Sequence, residues 1–426
     1  MRVALVNPHW TFDGSIYFGC REPHLPLELG AARVLLEAAG HEAAIVDAHF
    51  FGLSHAQMAA EVAAFAPDMV VVTTAPTYLF WRCAPPELRV PQEALAALSG
   101  VDALKVAVGP HASTTPRAAM AKLAVDVAVM GECEEALVRI ADGERAIPGT
   151  IVREGGGTRQ FGGPLATRFC DLPPIRWGPQ WIRRHGHHHH RFDAIPDAPG
   201  AEVEASRGCP FACTFCAKEN FRDAYRRRDL GALLAEIDGL LADGARYLYF
   251  IDEIFLPNAE LLEALVERDV VFGIQTRIDL FKPDMIRLLG RAGCVSVEAG
   301  VESLTPEGRN LLAKKCKLST EELAERLVMA KDHIPFVQAN LIEVPDDDDA
   351  LVAAWRDRLR ENGVWANDPV PLFPYPGSPD YRKLWGLPDD KAWERAVDYY
   401  IGTFTGFSDI QEDRPVPLDR LERQAA

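Results

Sequence analysis

The chain has 426 residues, enough for two or three domains, and 48% of them are hydrophobic, ample for sizeable cores. Lys and Arg number 45 against 62 Asp and Glu, a formal net charge of −17, which argues against generic nucleic-acid binding. No run approaches ~18 uninterrupted apolar residues, so no membrane span is expected. The N-terminus MRVALVNPHW lacks the apolar region and cleavage site of a signal peptide, so a reducing cytoplasm is the expected compartment.

Residues 1–148 alternate short apolar runs with amphipathic stretches, the pattern of a doubly wound, Rossmann-like α/β domain. RVALV (2–6), EAAIVD (42–47), DMVVVTT (68–74), LKVAVG (104–109) and VDVAVMG (125–131) read as strands. Helices are expected at 26–40, closed by Gly40, at 55–66, near 115–124 and at 132–142. Ligands of such sheets sit at the carboxyl ends of the strands. The loops there run from Asn7 to Cys20, Thr73 to Arg82, Gly109 to Thr115 and Gly131 to Glu134. They are rich in Gly, Pro, His and aromatics, which suits a large, flat, partly apolar ligand better than a simple phosphate. No G-x-G-x-x-G follows the first strand, so a dinucleotide is disfavoured.

Residues 149–198 read as a connection: a hairpin around Gly155-Gly156-Gly157, then a Pro-, Arg- and Trp-rich linker. The linker holds His185 and the run His187 to His190, read as solvent-facing, with metal binding incidental.

The run ASRGCPFACTFC (205–216) places Cys209, Cys213 and Cys216 in a C-x₃-C-x₂-C spacing. Three thiolates at such spacing can hold three irons of a four-iron, four-sulfur cluster. The fourth iron is then open to a small molecule, a catalytic arrangement. Zinc would ask for a second Cys pair or a later His pair, and no second Cys pair follows at a suitable distance. A disulfide would need an oxidising compartment, and the chain has nine cysteines, an odd number.

From 199 to 345 strand and helix patterns alternate, indicating a barrel or partial barrel. Strands are expected at 202–207, 247–252, 270–276, 294–300 and 335–343, with helices at 230–243, 258–268, 282–292 and within 306–332. Asp252 and Glu253, Arg277, and Glu302 with Ser303 fall at the carboxyl ends, where such barrels place their sites. Asp346 to Asp349 precede the periodic LVAAWRDRL (351–359) and suit a helix N-terminus. The segment 346–426 is read as a mainly helical piece completing or capping the barrel. Tyr375, in LFPYPGSPDY (372–381), is its best candidate for a pocket contact.

The cysteine run, with Phe215 just before its last Cys, resembles the radical S-adenosylmethionine (SAM) superfamily. The resemblance implies a 4Fe-4S cluster on Cys209, Cys213 and Cys216. Its open iron would chelate SAM and cleave it to methionine and a 5′-deoxyadenosyl radical. It also implies that Phe215, Asp252, Glu253, Arg277, Glu302 and Ser303 contact SAM or substrate. Arg277 would pair with the SAM carboxylate in a fork geometry. Arg207 and Lys218 would flank the cluster and tune it.

VGPHAS (108–113) and GECEEAL (131–137) resemble the cobalamin-binding domain of cobalamin-dependent radical SAM enzymes, where these stretches commonly read GGPH and GEGE. Val108 and Cys133 depart from the pattern; Gly109, Pro110, His111, Gly131, Glu132 and Glu134 keep it. The implied cobalamin site takes in Asn7, His9, Tyr78, Gly109, His111, Gly131 and Glu132. Tyr78, Phe80 and Trp81 either shield the lower face of the cofactor or pack against a neighbouring domain. Asp47, His49 and Gly52 spell D-x-H-x-x-G, but after the second strand rather than the first. They are read as coincidence, with Asp47 at a strand end and Gly52 in a turn.

The resemblance implies methylation of an unactivated carbon or a phosphorus through a deoxyadenosyl radical and methylcobalamin. The substrate would be a small molecule or biosynthetic intermediate, and the electron donor one such as flavodoxin or ferredoxin. Three other outcomes stay open. They are a cobalamin-dependent oxidation, cyclisation or ring rearrangement, a radical SAM enzyme with a degenerate cobalamin domain, and a non-enzymatic sensor.

Overall fold

The computed structural model describes residues 1–11, 23–77, 87–185, 199–222, 224–345 and 347–403. Tyr78, Phe80, Trp81 and the His187–His190 run lie outside them. The chain folds into two units. Among the described residues the first comprises 1–177, 217–222 and the stretch from 373 onward; the second comprises 178–216 and 224–372.

The first unit is built on seven strands: β1 (Arg2–Asn7), β2 (Glu42–Asp47), β3 (Met69–Thr73), β4 (Leu104–Val108), β5 (Val127–Val129), β6 (Thr150–Glu154) and β7 (Gly157–Phe161). Their order is β2-β1-β3-β4-β5-β6-β7. The first five are parallel, and β6 and β7 add an antiparallel edge. Helices cover both faces, so the central strands are apolar on both sides. Val3, Leu5, Val71, Val106 and Val129 point to one core, with Leu29, Leu36, Leu137 and Ile140. Ala4, Val6, Val70, Val72 and Ala107 point to the other, with Met58, Val62, Leu95 and Met120. The strand order reverses between β1 and β3, and the crevice of such a sheet opens at that switch point.

Two expectations change here. The hairpin at 150–161 extends the first sheet instead of serving as a connection. The segment 373–403 belongs to the first unit and not to the barrel. Its apolar side chains explain why: Phe373, Tyr381, Trp393, Val397 and Tyr400 complete the core that Val3, Leu5 and Val71 begin. Tyr375 packs edge-on against Phe373, ring centroids 4.6 Å apart, within that assembly. Gly377 has φ 94, and a Cβ there would meet Asn220 Nδ2 at 1.9 Å. Asn220 in turn donates to the carbonyl of Pro376 at 2.8 Å.

The second unit holds β8 (Gly200–Val203), β9 (Ser206–Arg207), β10 (Arg226–Arg227), β11 (Tyr247–Phe250), β12 (Val271–Thr276), β13 (Cys294–Glu302), β14 (Phe336–Leu341) and β15 (Trp365–Ala366). Six form one parallel sheet in the order β15-β14-β13-β12-β11-β8. This unbroken succession, with helices between strands, is that of a partial (β/α) barrel, and it sets the carboxyl ends side by side. β9 and β10 form a separate antiparallel pair at the root of the cysteine loop.

Candidate functional site

The cysteine loop leaves the barrel after β8. Gly208, at φ 77, turns the chain into it, a conformation that favours glycine. The root is clamped by the two acids that follow β11. Asp252 accepts from the backbone N–H of Ala205 at 2.8 Å and from the Ser206 hydroxyl at 2.5 Å. Glu253 accepts from the N–H of Gly208 at 2.9 Å. Asp252 is fully buried, and burial pushes its carboxyl up to about 8. It is therefore a positioning group, its oxygens spent on the loop's root, where the sequence suggested SAM or substrate contact.

Cys209, Cys213 and Cys216 are part-exposed thiols on this loop. The N–H of Cys216 donates to the Cys213 carbonyl at 3.2 Å, so the last two share one tight turn. The N–H of Thr214 donates to the Leu312 carbonyl at 3.2 Å, which fixes the loop against the end of the helix Pro306–Leu311. Burial pushes the Cys213 thiol up, while Lys314 and Arg277 pull it down. Metal binding to such a thiol must release a proton. Phe215 is half-buried beside the last cysteine.

Arg277, at the end of β12, lies over the ring of Phe211 in the same loop, 4.1 Å from its centroid. Asp279 holds two of its nitrogens, Nε at 3.2 Å and Nη2 at 2.8 Å. Its third, Nη1, is buried and has no partner among the described residues. A buried guanidinium N–H without an acceptor is costly and suits an incoming carboxylate. The residues beside the cysteines thus fit SAM, whose carboxylate would supply that acceptor.

Glu302 lies at a register shift in β13 with φ 68, a left-handed conformation that costs a non-glycine residue about 1 kcal/mol. Its carboxylate accepts from Lys314 Nζ at 2.9 Å, and Lys314 also donates to the Gly300 carbonyl at 3.1 Å. Ser303 is buried, with its hydroxyl given to Asp347 at 2.8 Å. Thr305 donates to the other oxygen of Asp347. Ser303 thus closes the loop after β13 rather than pointing to open space. Sequence reading missed Lys314 and Asp347; a lysine in a basic run and one acid among four carry no mark of their partners.

Within the barrel sheet, Gln275, Glu298 and Gln338 stand in register on β12, β13 and β14. All three are half-buried, while their strand neighbours are buried. Gln338 donates to Asn340 at 2.5 Å. These three polar side chains stand side by side in the sheet. Arg207, expected beside the cluster, is fully buried and paired with Glu204 at 2.7 Å.

In the first unit, Asn7 ends β1 at the switch point. Its Nδ2 donates to both oxygens of Asp47, and its Oδ1 accepts from Trp10 Nε1 at 2.7 Å and Thr73 Oγ1 at 3.2 Å. Asp47 also accepts from the N–H of Phe50, capping the short helix Ala48–Phe51 that Gly52 closes at φ 67. The D-x-H-x-x-G string therefore serves a strand end and a turn, as its position implied. His9 meets His49 edge-on, ring centroids 5.9 Å apart. Thr74, at the end of β3, is fully buried, and its hydroxyl has no partner among the described residues. A ligand seated over the ends of β1 and β3 would satisfy it, so the switch point fits a bound group.

The motifs at β4 and β5 are spent more inwardly. Gly109 has φ 128, and its carbonyl accepts from Ser113 Oγ, which also takes the N–H of Gly131. A Cβ at Gly131 would lie 2.2 Å from the carbonyl oxygen of Leu165, so close backbone approach alone demands glycine there. Glu132 is buried, accepts from the N–H of Thr167 at 2.6 Å, and pairs with Arg222 at 3.5 Å. His111 is buried, its ring 4.8 Å from that of Trp393.

No helix among the described residues is long and apolar enough to cross a membrane. Residues 203–354 match the family described as the radical SAM superfamily. The anaerobic magnesium-protoporphyrin IX monomethyl ester cyclase of Cereibacter sphaeroides is 27% identical over 360 residues, 78% of this chain and 55% of that protein. The bacteriochlorophyllide d C-12(1)-methyltransferase of Chlorobaculum tepidum is 25% identical over 207 residues, 46% of this chain and 45% of that protein. The chain thus spans about half the length of these two curated relatives. Among solved structures, the radical SAM methyltransferase TsrM of Kitasatospora setae, with cobalamin and a [4Fe-4S] cluster bound, superposes with a TM-score of 0.70. It is 18% identical, and the match covers 94% of this chain and 78% of that one. With its three-cysteine loop and its partial barrel, the chain carries a radical SAM region over residues 203–354 and shares the fold of a structure solved with cobalamin bound.

Proposed function

We propose that this protein is a cobalamin-dependent radical SAM enzyme that methylates an unactivated carbon or phosphorus of a small biosynthetic intermediate. The observation that carries the reading is the cysteine loop facing the unsatisfied Nη1 of Arg277. When bound, the cluster and SAM supply a 5′-deoxyadenosyl radical, and cobalamin supplies the transferred methyl group. Cys209, Cys213 and Cys216 hold the cluster. Arg277 receives the SAM carboxylate, held in place by Asp279 and Phe211. Glu302 is set by Lys314 to meet the polar part of SAM, and Gln275, Glu298 and Gln338 line the floor below. Asn7, His9, Thr74 and Gly109 border the cobalamin site at the switch point. The closed interior positions of Gly131, Glu132 and His111 make them supports of that site. A one-electron donor such as flavodoxin or ferredoxin is required.

A second reading, oxidative ring closure without methyl transfer, is favoured by the likeness to the cyclase over 78% of this chain. Product analysis separates the two. Methylation yields S-adenosylhomocysteine together with 5′-deoxyadenosine, whereas cyclisation yields 5′-deoxyadenosine alone. Cobalamin itself is tested by incubating the anaerobically reconstituted protein with hydroxocobalamin, desalting, and recording optical and EPR spectra. Stoichiometric retained corrinoid supports the reading. An intact cluster signal with no corrinoid rejects it and leaves a radical SAM enzyme with a repurposed first unit.

A further inference from the structure

We propose that the loop 312–319 of the second unit is the docking surface for a small acidic one-electron carrier protein. The proposal rests on the radical SAM reading and gives its electron donor a place.

The loop carries Lys314, Lys315 and Lys317, with no acidic residue from Leu311 to Thr320. It touches the cysteine loop directly, because the N–H of Thr214, between the second and third cysteines, donates to the carbonyl of Leu312. Lys314 turns inward to Glu302 and is buried. Lys315 and Lys317 are exposed, and neither ammonium has a partner among the described residues. The turn that presents them is strained. Ala313 and Lys315 have φ 53 and 52, a left-handed conformation unfavourable for a residue with a Cβ. Such strain persists where the surroundings impose it, and it gathers at working surfaces.

Charge makes this spot selective. The chain as a whole carries −17, so an acidic carrier is repelled by its average surface. At physiological salt, charges are screened beyond about 8 Å, and local patches then decide where two acidic proteins meet. A second basic run of this unit, Arg226 to Arg228, makes contacts of its own. Arg226 donates to the Ala224 carbonyl, Arg227 to Tyr225 Oη and the Pro257 carbonyl, and Arg228 pairs with Glu236. The flanking acids Glu307 and Glu321 belong to the adjoining helices, outside the run. In the step served by this contact, one electron leaves the reduced carrier and enters the oxidised cluster. The carrier is oxidised by one electron and the cluster reduced by one, with no bond or proton moved.

The test is the double variant Lys315→Glu/Lys317→Glu beside the wild type, both carrying the cluster. Affinity for an acidic flavodoxin is measured by biolayer interferometry at low and high salt. Cluster reduction is followed optically after mixing with reduced flavodoxin and, separately, with dithionite. The expected result is a roughly ten-fold loss of flavodoxin affinity and a flatter salt dependence. Flavodoxin-driven reduction slows in parallel, and dithionite-driven reduction is unchanged. Unaltered flavodoxin affinity overturns the proposal. Equal loss with dithionite also overturns it, since the lysines would then be props of the cysteine loop. A wild type that assembles no cluster overturns the underlying reading instead, and is seen before any carrier is added.

Discussion

Asp47 in the first unit and Asp252 in the second are alike in position and unlike in use. Each stands at the carboxyl end of a parallel strand, each is fully buried, and burial pushes each carboxyl up, Asp47 to about 7 and Asp252 to about 8. Asp47 accepts from Asn7 and Phe50 and ties the first sheet to its own next helix. Asp252 accepts from Ala205 and Ser206 and ties the barrel to the cysteine loop. The same desolvation cost therefore serves stability of one sheet in one unit and geometry of a metal-binding loop in the other.

Truncation separates these uses most sharply. Asp252→Ala leaves the Ala205 N–H and Ser206 hydroxyl without their acceptor, and iron bound per chain after reconstitution is expected to fall steeply. Asp47→Ala is expected to leave iron loading near wild type while lowering unfolding free energy by about 2–4 kcal/mol, from orphaned buried donors. Equal iron loading in the two variants would break the comparison.

Titration sharpens it next. In each case the folded carboxyl binds its proton more tightly than the unfolded one, whose value is near 3.8. The stabilising contribution is therefore full below about pH 4 and is lost as pH rises, until about 7 for Asp47 and about 8 for Asp252. Asparagine cannot ionise. Melting temperatures taken stepwise from pH 4 to 9 should thus show a shallower decline in both Asp47→Asn and Asp252→Asn. Between about pH 7 and 8 the slope should differ from wild type only in Asp252→Asn.

A smaller effect belongs to the barrel alone. Arg277→Met removes a charged hydrogen bond of about 1.5–3 kcal/mol, so SAM affinity measured by equilibrium dialysis should drop roughly 10- to 100-fold. Iron loading should persist. An unchanged SAM affinity would detach Arg277 from the site. The smallest effect belongs to the first unit. Ala66 closes the helix His55–Phe65 at φ 48, and Ala66→Gly should raise unfolding free energy by about 0.5–1 kcal/mol in denaturant titration, with activity unchanged.

The sequence made the strands and the cysteine loop legible because both are local signals, one in periodicity and one in spacing. The helix Arg89–Ala97 escaped notice because Pro91 interrupts its pattern. Pro91 sits in the first turn, where a missing N–H costs nothing. Strand-end residues were found by position, yet position could not tell which way each side chain turns. Adjacent residues Asp252 and Glu253 clamp different points of one loop, and Ser303 faces Asp347 from 44 positions away. Glu132 kept a family pattern while its partner, Arg222, lies just beyond the cysteines, a pairing that only the fold creates.

The first unit is discontinuous, since its core needs Phe221 and then Phe373 to Tyr400 as well as the N-terminal strands. During synthesis, its early strands must therefore wait while the barrel emerges. At about 5–20 residues per second, translation of the nearly two hundred intervening residues leaves the core beside β1 and β3 incomplete for roughly 10–40 s. An N-terminal fragment ending at Trp177 then has a core that its own helices cover only in part, and the barrel is always made before the first unit can close.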